Sequence, residues 1–389
     1  AGCATSQKFP PLFWPAPPDA PRIQYLTAIK DSTDVEEKAS VSLLDLGKKE
    51  KGVTPIVKPY GIAVKKGKIY ICDTIQAEVV ILDLPGKKVA TLSGNKGEGR
   101  LKKPINVAVD DDGFIYVSDT VRREVLKYTP DGAYLKVVAH DLKPMGIAVD
   151  ELYLYVLDGE KMLIRLFDRG TGEQVRSFGQ EGDERGRLFT PLGIGLDGKG
   201  GVYVTNMDGR IIQFDRDGHP LKMFGKLGSS LSEYVRPRSV VLDRDGIMYV
   251  VDAGTQDVRM MTEMFQLLLE FPAPGSRGAL NVPAGIAVSE ENLPYYQQFA
   301  EPDFVLERVI FVVSQFGDHK ISIYGLGKKK GVDYDALVKE RQEEIRKKEE
   351  EIDKQRAEKE KKEKEQKEKE QGAPAEGTTA PPAAPDGKK

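Results

Sequence analysis

One six-residue phrase, Pro-x-[Gly/Asn/Ser]-[Ile/Val]-[Ala/Gly/Val]-[Val/Leu], occurs six times in this chain of 389 residues. Its copies begin at Pro59, Pro104, Pro144, Pro191, Pro237 and Pro283. Successive copies are separated by steps of 40 to 47 residues. A period of this length indicates a repeat architecture, in which each unit buries its apolar surface only against its neighbours. The chain is therefore expected to build one structural unit six times.

The second unit shows the pattern inside a repeat. Short apolar segments at 106–110, 114–119, 125–128 and 134–138 are separated by turn sequences such as Asp111-Asp112-Gly113. The segments are rich in β-branched and aromatic residues, and Gly supplies the positive φ that tight turns need. Four strands per unit predict one antiparallel sheet, and six sheets packed around an axis form a β-propeller. The predicted fold class is all-β, a six-bladed β-propeller.

An aromatic residue occupies the second position of the second strand in every unit. We expect these rings to face a neighbouring blade at the same radius each time, since a single blade cannot bury both of its faces alone. The six residues are Tyr70, Tyr116, Tyr155, Tyr203, Tyr249 and Phe311.

Closure of the ring is predicted from the two ends of the repeat region. The sixth unit has three strands and then runs through Gly327 into three lysines, whereas a spare strand, residues 22–29, precedes the first unit. This N-terminal strand is expected to supply the missing outer strand and so remove an exposed sheet edge. The predicted propeller domain is 22–327.

The repeat resembles that of the NHL-repeat six-bladed propellers over about residues 22–326. The segment Pro144 to Asp150, Pro-Met-Gly-Ile-Ala-Val-Asp, fits the first part of the family pattern fully. One departure recurs, because the family usually has a basic residue before the third strand and this chain has Glu78, Glu124 and Asp257. The resemblance therefore implies the fold, and the family's binding specificity is not carried over.

Composition and motifs give little sign of catalysis. Propeller enzymes that resemble calcium lactonases use inward carboxylates and Asn, and those that resemble the amidating lyase use several histidines. This chain has three histidines, and His140 and His219 lie in outer-strand and turn segments. No Ser/His/Asp arrangement or phosphate-binding loop is present. We predict a non-enzymatic protein without a metal or cofactor, with a metal-dependent lactonase or lyase as the alternative.

Four aspartates end the second strand of their units. They are Asp73, Asp119, Asp158 and Asp252. We interpret them as structural acceptors for turn N–H groups.

The residues that follow the repeat prolines are expected to line the mouth of the central channel. They are Tyr60, Ile105, Met145, Leu192, Arg238 and Ala284, with Asn106 as a neighbouring polar group. This mostly apolar set favours binding over hydrolysis. Within it, Tyr60, Asn106, Met145 and Arg238 are the candidate contacts for a partner.

The sixth unit carries an insertion, 289–307, that is longer than an ordinary hairpin loop. Its aromatic residues Tyr295, Tyr296 and Phe299 are candidate partner contacts on a rigid scaffold. The alternative is that the tyrosines pack back onto the blade. Carbohydrate binding through Tyr234 and Tyr295 is a third hypothesis.

The two ends of the chain predict attachment and a charged arm. Ala1-Gly2-Cys3 resembles the end of a bacterial lipobox, so Cys3 is the predicted lipidation site and 1–21 a Pro-rich tether. Ala4 favours the outer membrane, by resemblance to lipoprotein sorting rules. Residues 333–371 predict a long charged helix, because Glu and Lys recur four residues apart. The Ala/Pro-rich residues 372–389 are expected to be a disordered tail.

Together these features favour an interaction scaffold of the bacterial cell envelope. It is expected to bind an envelope protein through the loop face of the propeller and the sixth-unit insertion. Net charge is −3, so no global positive field argues for nucleic acid as a partner.

Replacing Cys3 with Ser tests the membrane anchor. The variant is expected to move from the membrane fraction to the soluble fraction, because the acyl chains that hold the protein require the thiol. Fractionation followed by immunoblotting measures the change. A variant that stays in the membrane fraction contradicts the anchor.

Overall fold

The computed structural model describes residues 10–36, 52–180, 186–340 and single positions up to 354. The chain divides into two compact units, Ala1–Lys330 and Gly331–Lys389. Cys3 and the predicted tail 372–389 lie outside the described residues.

The regular structure of the first unit is mostly β-strand, and the strand bounds follow the repeat. In chain order they are β1 (Phe13–Trp14), β2 (Ile23–Ile29), β3 (Pro59–Lys65), β4 (Lys68–Asp73), β5 (Glu78–Asp83), β6 (Lys88–Thr91), β7 (Pro104–Val109), β8 (Ile115–Asp119), β9 (Glu124–Tyr128), β10 (Tyr134–His140), β11 (Pro144–Val149), β12 (Tyr153–Asp158), β13 (Leu163–Asp168), β14 (Gln174–Phe178), β15 (Pro191–Leu196), β16 (Val202–Asn206), β17 (Ile211–Phe214), β18 (Pro220–Phe224), β19 (Pro237–Leu242), β20 (Met248–Asp252), β21 (Asp257–Met261), β22 (Leu267–Phe271), β23 (Pro283–Ser289), β24 (Phe304–Ser314) and β25 (Ile321–Lys329). One short helix, α1 (Leu293–Tyr296), lies between β23 and β24.

These strands form the six blades that the sequence predicts. Five blades are four-stranded antiparallel sheets whose strands are consecutive in the chain. The sixth has the order β1-β2-β25-β24-β23. Strand β2 pairs with β25 from Ile23 opposite Leu326 to Ile29 opposite Ile321. The prediction of a propeller closed by an N-terminal strand is confirmed.

A second N-terminal strand extends the closing blade. Phe13 and Trp14 pair with β2, and the Trp14 side chain is buried. Its ring lies 6.0 Å from that of Tyr324 and 6.3 Å from that of Phe271, centroid to centroid. The predicted tether 1–21 did not include this strand, because a Pro-rich stretch with two isolated aromatic residues carries little β-strand signal.

The blades pack through the aromatic residues of their second strands, as predicted. Tyr116 of blade two is buried in a cluster with Ile147, Leu154 and Val156 of blade three. Tyr249 of blade five packs in the same way on blade six. All six rings are less than a tenth exposed. Each blade thereby closes the core of the next, so stability requires the complete ring.

The glycines of the repeat phrase permit the inner strands to approach closely around the channel. A Cβ on Gly61 would lie 2.5 Å from the carbonyl oxygen of Ile105 in the next blade. At Gly193 the corresponding distance to the carbonyl oxygen of Arg238 is 2.4 Å, and at Gly285 that to Tyr60 is 2.5 Å. These contacts are with backbone atoms, which cannot rotate away. The close approach of the inner strands around the channel therefore requires glycine at these positions.

The ring has two faces with different loops. At one face lie the repeat prolines, the connections between blades and the turns between second and third strands; we call it the proline face. At the other lie the turns between first and second strands and between third and fourth strands; we call it the distal face. The antiparallel pairing places these ends consistently, for example Pro144 opposite Asp158.

The second unit is described only at its start. Residues 334–340 are helical, and most of the predicted helix 333–371 lies outside the described residues. No helix in the described part of the chain is long and apolar enough to span a membrane.

Replacing Gly193 with Ala tests the close approach of the inner strands. Unfolding free energy is expected to fall by about 1–3 kcal/mol, because the new methyl group forces the inner strands of blades four and five apart. The matched control is Gly52→Ala, at a site with no atom within 4 Å of the new Cβ. Urea denaturation of both variants provides the measurement. Equal stability of the two would contradict the packing argument.

Candidate functional site at the channel mouth

A fully buried carboxylate organises the proline face of blade two. One oxygen of Asp119 accepts hydrogen bonds from the backbone N–H groups of Lys102 and Lys103, at 2.6 and 2.9 Å. The other oxygen accepts from the N–H groups of Val121 and Arg122, at 3.0 and 2.9 Å. The side chain therefore joins the segment that enters the first strand to the turn that leaves the second.

The same hydrogen-bonding arrangement recurs around the ring. Asp73, Asp158 and Asp252 are likewise fully buried and accept backbone N–H groups. Asn206 and Ser314 take the position in blades four and six, where they accept from Phe189 at 2.9 Å and Asn281 at 3.1 Å. The interpretation of these aspartates as structural acceptors is confirmed.

A basic residue precedes the repeat proline in each blade that has such an aspartate. The backbone N–H groups of these four residues all donate to the buried carboxylate, at 2.9 to 3.2 Å. The residues are Lys58, Lys103, Lys143 and Arg236. The structure thus places four cations at one height around the mouth. Sequence reasoning missed this set, although in each of these four blades the residue before the repeat proline is basic.

The backbone of each of these residues contacts a buried carboxylate, and Lys143 also interacts electrostatically with Glu160. Lys103, Lys143 and Arg236 are exposed and form no ion pair within the described part of the chain. Lys58 lies over the ring of Phe316, with its Nζ 5.3 Å from the centroid. Their charges therefore act on whatever approaches the mouth. We call these four residues the basic rim.

Arg238 and Tyr60 meet across the channel mouth. They come from blades five and one, which blade six separates, and the guanidinium carbon lies 5.5 Å from the Tyr60 ring centroid. Blade six presents the small residue Ala284 at this level, and it is buried. Burial lowers the pKa of Arg238; Tyr60 opposes this shift and the charge of Arg236 adds to it.

One donor of Arg238 has no acceptor. Its Nη1 is buried and makes no hydrogen bond with any described residue. An unsatisfied buried donor costs about 1–3 kcal/mol. Such a cost at a channel mouth, beside a second arginine, indicates a site that is prepared for an anion.

The other two predicted contacts at the mouth are Asn106, which is polar, and Met145, which is apolar, and both are partly exposed. Asn106 is half-buried, and its amide makes no hydrogen bond to the described protein. Met145 is half-buried against Gly159, where a Cβ would lie 2.4 Å from the Met145 Cγ. The structure brings Arg238 and Tyr60 together and places Asn106 and Met145 near the start of the first strands of blades two and three. That these four residues contact a partner stays a prediction.

The sixth-unit insertion lies on the distal face, away from the channel mouth. The Asn292 amide donates to the carbonyl oxygen of Gly67 at 3.1 Å, and Glu290 pairs with Arg244 at 2.7 Å. Gly67 and Arg244 belong to distal turns of blades one and five. The two groups of predicted contacts thus occupy opposite faces, which the linear sequence could not indicate.

Most of the insertion packs back onto its blade. Tyr296 is 2% exposed and its ring lies 5.5 Å from that of Phe311, so Tyr296 is not available to a partner. Tyr295 is partly buried against the same core, whereas Phe299 remains 37% exposed. Burial also removes Tyr234, which is 0% exposed, from the hypothesis of carbohydrate binding.

A cleft of about 620 Å³ lies between blades three and four on the proline face. It combines two arginines with exposed apolar side chains, of which Phe189 is 54% and Met223 is 41% exposed. The lining residues are Met162, Gln180, Arg187, Leu188, Phe189, Arg210 and Met223. Arg210 is fixed by a hydrogen bond to the carbonyl oxygen of Arg187 at 3.0 Å.

Comparison with known proteins supports the fold. No protein-family model matches the chain. A gluconolactonase from Xanthomonas campestris is similar, with a TM-score of 0.52 and 14% identity over 83% of this chain and all of that one. A Bacteroides thetaiotaomicron protein of unknown function has a TM-score of 0.52 and 15% identity, over 78% and 75% of the two chains. Virginiamycin B lyase from Staphylococcus aureus has a TM-score of 0.47 and 16% identity, over 69% and 84%.

At such identities a likeness indicates a shared β-propeller fold and not a shared activity. The finer assignment to the NHL-repeat type stays a prediction.

Replacing Asp252 with Ala tests the structural role of the buried carboxylates. Unfolding free energy is expected to fall by roughly 3 kcal/mol, because several backbone donors lose their acceptor. Asp112→Ala, at an exposed distal-face aspartate, is the control. Thermal melting is measured with calcium and with chelator. A calcium-dependent rise in melting temperature that Asp252→Ala abolishes would favour a metal site instead.

Proposed function

We propose that this protein is a non-enzymatic binding propeller that captures an acidic protein partner on its proline face. The observation that carries the proposal is the basic rim around a channel mouth in which Arg238 lacks a carboxylate partner. Attachment through Cys3, as predicted, would place this activity in the bacterial cell envelope.

Apolar side chains on the same face favour a protein partner. Ile75 is 63% exposed, Val121 is 56% exposed and Phe316 is 48% exposed. All three lie in turns between second and third strands, and the Phe316 ring lies 5.3 Å from the Nζ of Lys58 in the basic rim. Protein interfaces combine an apolar centre with polar surroundings, whereas nucleic-acid binding depends mainly on cations that contact phosphates.

Charge is distributed unequally between the faces. In four blades the first strand is followed by an aspartate at the distal face: Asp110, Asp150, Asp197 and Asp243. Three of these distal aspartates, Asp110, Asp150 and Asp243, are paired with Arg169, Arg216 and Arg308. At the proline face, by contrast, the exposed cations that precede the first strands of blades two, three and five form no ion pair with any described residue. These unpaired cations would favour the approach of an acidic partner at the proline face.

The chemistry of the mouth also supports binding over metal catalysis. A guanidinium at the entrance repels a divalent cation, and the neighbouring side chains of Met145 and Leu192 offer no ligand for one. The partly exposed Arg238, Tyr60 and Asn106 fit an anionic group presented by a partner.

Reversing two charges of the basic rim tests the proposal. The variant Lys103→Glu/Lys143→Glu is expected to reduce partner capture about tenfold, because rim charges set the rate of encounter. Capture from envelope extracts is quantified by cross-linking and mass spectrometry across a series of salt concentrations.

The control is Lys88→Glu/Lys136→Glu, which changes the net charge equally at exposed lysines of two outer strands. Equal capture by both double variants would contradict the proposal. Capture that nuclease treatment abolishes would show that the face binds nucleic acid instead.

A further inference from the structure

We infer that the channel mouth contains a subsite for a single carboxylate, with Arg238 as its anion-binding residue and Tyr60 as the support that positions it. The inference rests on the proposed function and deepens it, because it names the chemical group that the partner inserts. The basic rim would attract an acidic segment, and this subsite would hold one of its carboxylates.

The position of Arg238 suits an entering ligand. Its side chain crosses the mouth from blade five to the Tyr60 ring of blade one. Stacking on an aromatic face holds the guanidinium plane and leaves its N–H edge free to bind. Nη1 has no acceptor among the described residues, and because this atom is enclosed the side chain must shift for a ligand to reach it.

Arg259, which is buried in the same blade, is an example of a guanidinium with a structural role. Arg259 also stacks on a tyrosine, Tyr234, at 5.1 Å. In contrast to Arg238, it donates through Nη1 to the carbonyl oxygens of Ser230 and Glu233 and lies 3.5 Å from the Asp257 carboxylate. The Nε of Arg259 also lacks a hydrogen bond, so the difference between the two arginines is the carboxylate partner. Arg259 has one within the chain, and Arg238 has none among the described residues.

A carboxylate matches this site best. A guanidinium binds a carboxylate through two parallel hydrogen bonds in one plane. Met145 is partly exposed at the mouth and offers an apolar surface to the carbon chain that bears the carboxylate, whereas Leu192 and Ala284 are buried. Asn106 of blade two lies diametrically opposite Arg238 in the six-bladed ring, and its unbonded amide can meet a second polar group of the same segment.

Thermal shift with small anions tests the subsite directly. Succinate, and a short glutamate-rich peptide with an amidated C-terminus, are expected to raise the melting temperature at constant ionic strength, since they bind only the folded state. Arg238→Met is expected to abolish both shifts. Succinate alone would indicate a free small acid as the source, and the peptide a side-chain carboxylate; either supports the subsite.

Three results would overturn the inference. The first is the absence of any shift in the unaltered protein. The second is a shift that persists in Arg238→Met. The third is an equal shift with sulfate, which would show non-selective anion binding.

The melting temperature measured without ligand distinguishes a binding role of Arg238 from a structural one. Arg259→Met is expected to lower the melting temperature by several degrees, because it leaves the buried Asp257 carboxylate without its cation. Arg238→Met is expected to leave the melting temperature unchanged or raised, because it removes an uncompensated one. A fall as large as that of Arg259→Met would assign Arg238 a structural role and overturn the inference.

The double variant Lys103→Glu/Lys143→Glu distinguishes the two proposals. If partner capture does not depend on these lysines but succinate still stabilises through Arg238, the proposed function fails and the subsite stands. If capture depends on them and succinate has no effect, the subsite fails and the proposed function stands.

Discussion

The buried acceptor at the end of each second strand is the interaction on which the proline face depends. In four blades it is a carboxylate, and the N–H groups it accepts come from two separate segments. These N–H groups belong to connections and turns outside the strand pairs, so the carboxylate supplies the acceptor that a neighbouring strand would otherwise provide. The same hydrogen bonds hold the residue before each repeat proline in place. Stability and the placement of the basic rim thus share one cause.

Closure of the ring is a second constraint, and it comes from the far end of the chain. Strand β2 completes blade six, and β1 adds Trp14 to the aromatic contacts around Tyr324. The Tyr324 hydroxyl donates to the carbonyl oxygen of Gly278 at 2.5 Å, which ties blade six to the connection that precedes it. Each blade completes the core of its neighbour. The closing strands β1 and β2 therefore stabilise the first blade as well as the sixth.

The channel mouth differs from the rest of the interior in how its charges are satisfied. Arg259, Arg308 and Arg169 are buried or nearly so, and each faces carboxylates of its own chain. Arg238 faces a tyrosine ring and a second arginine instead. Arg238 is partly exposed and lacks a carboxylate partner among the described residues, whereas these three arginines have one. Such a local departure from the general pattern of a fold is typical of a binding site.

The sequence by itself determined the number of blades, the closing strand, the aromatic packing between blades and the role of the buried aspartates. Each of these follows from a local sequence pattern. Because the pattern occurs six times, it can be recognised without knowledge of the tertiary contacts. Only the tertiary structure decided that Arg238 reaches Tyr60, that four basic residues share one rim, and that the sixth-unit insertion lies on the opposite face with Tyr296 buried. These features depend on how blades far apart in the chain meet around a closed ring, and no local pattern encodes that geometry.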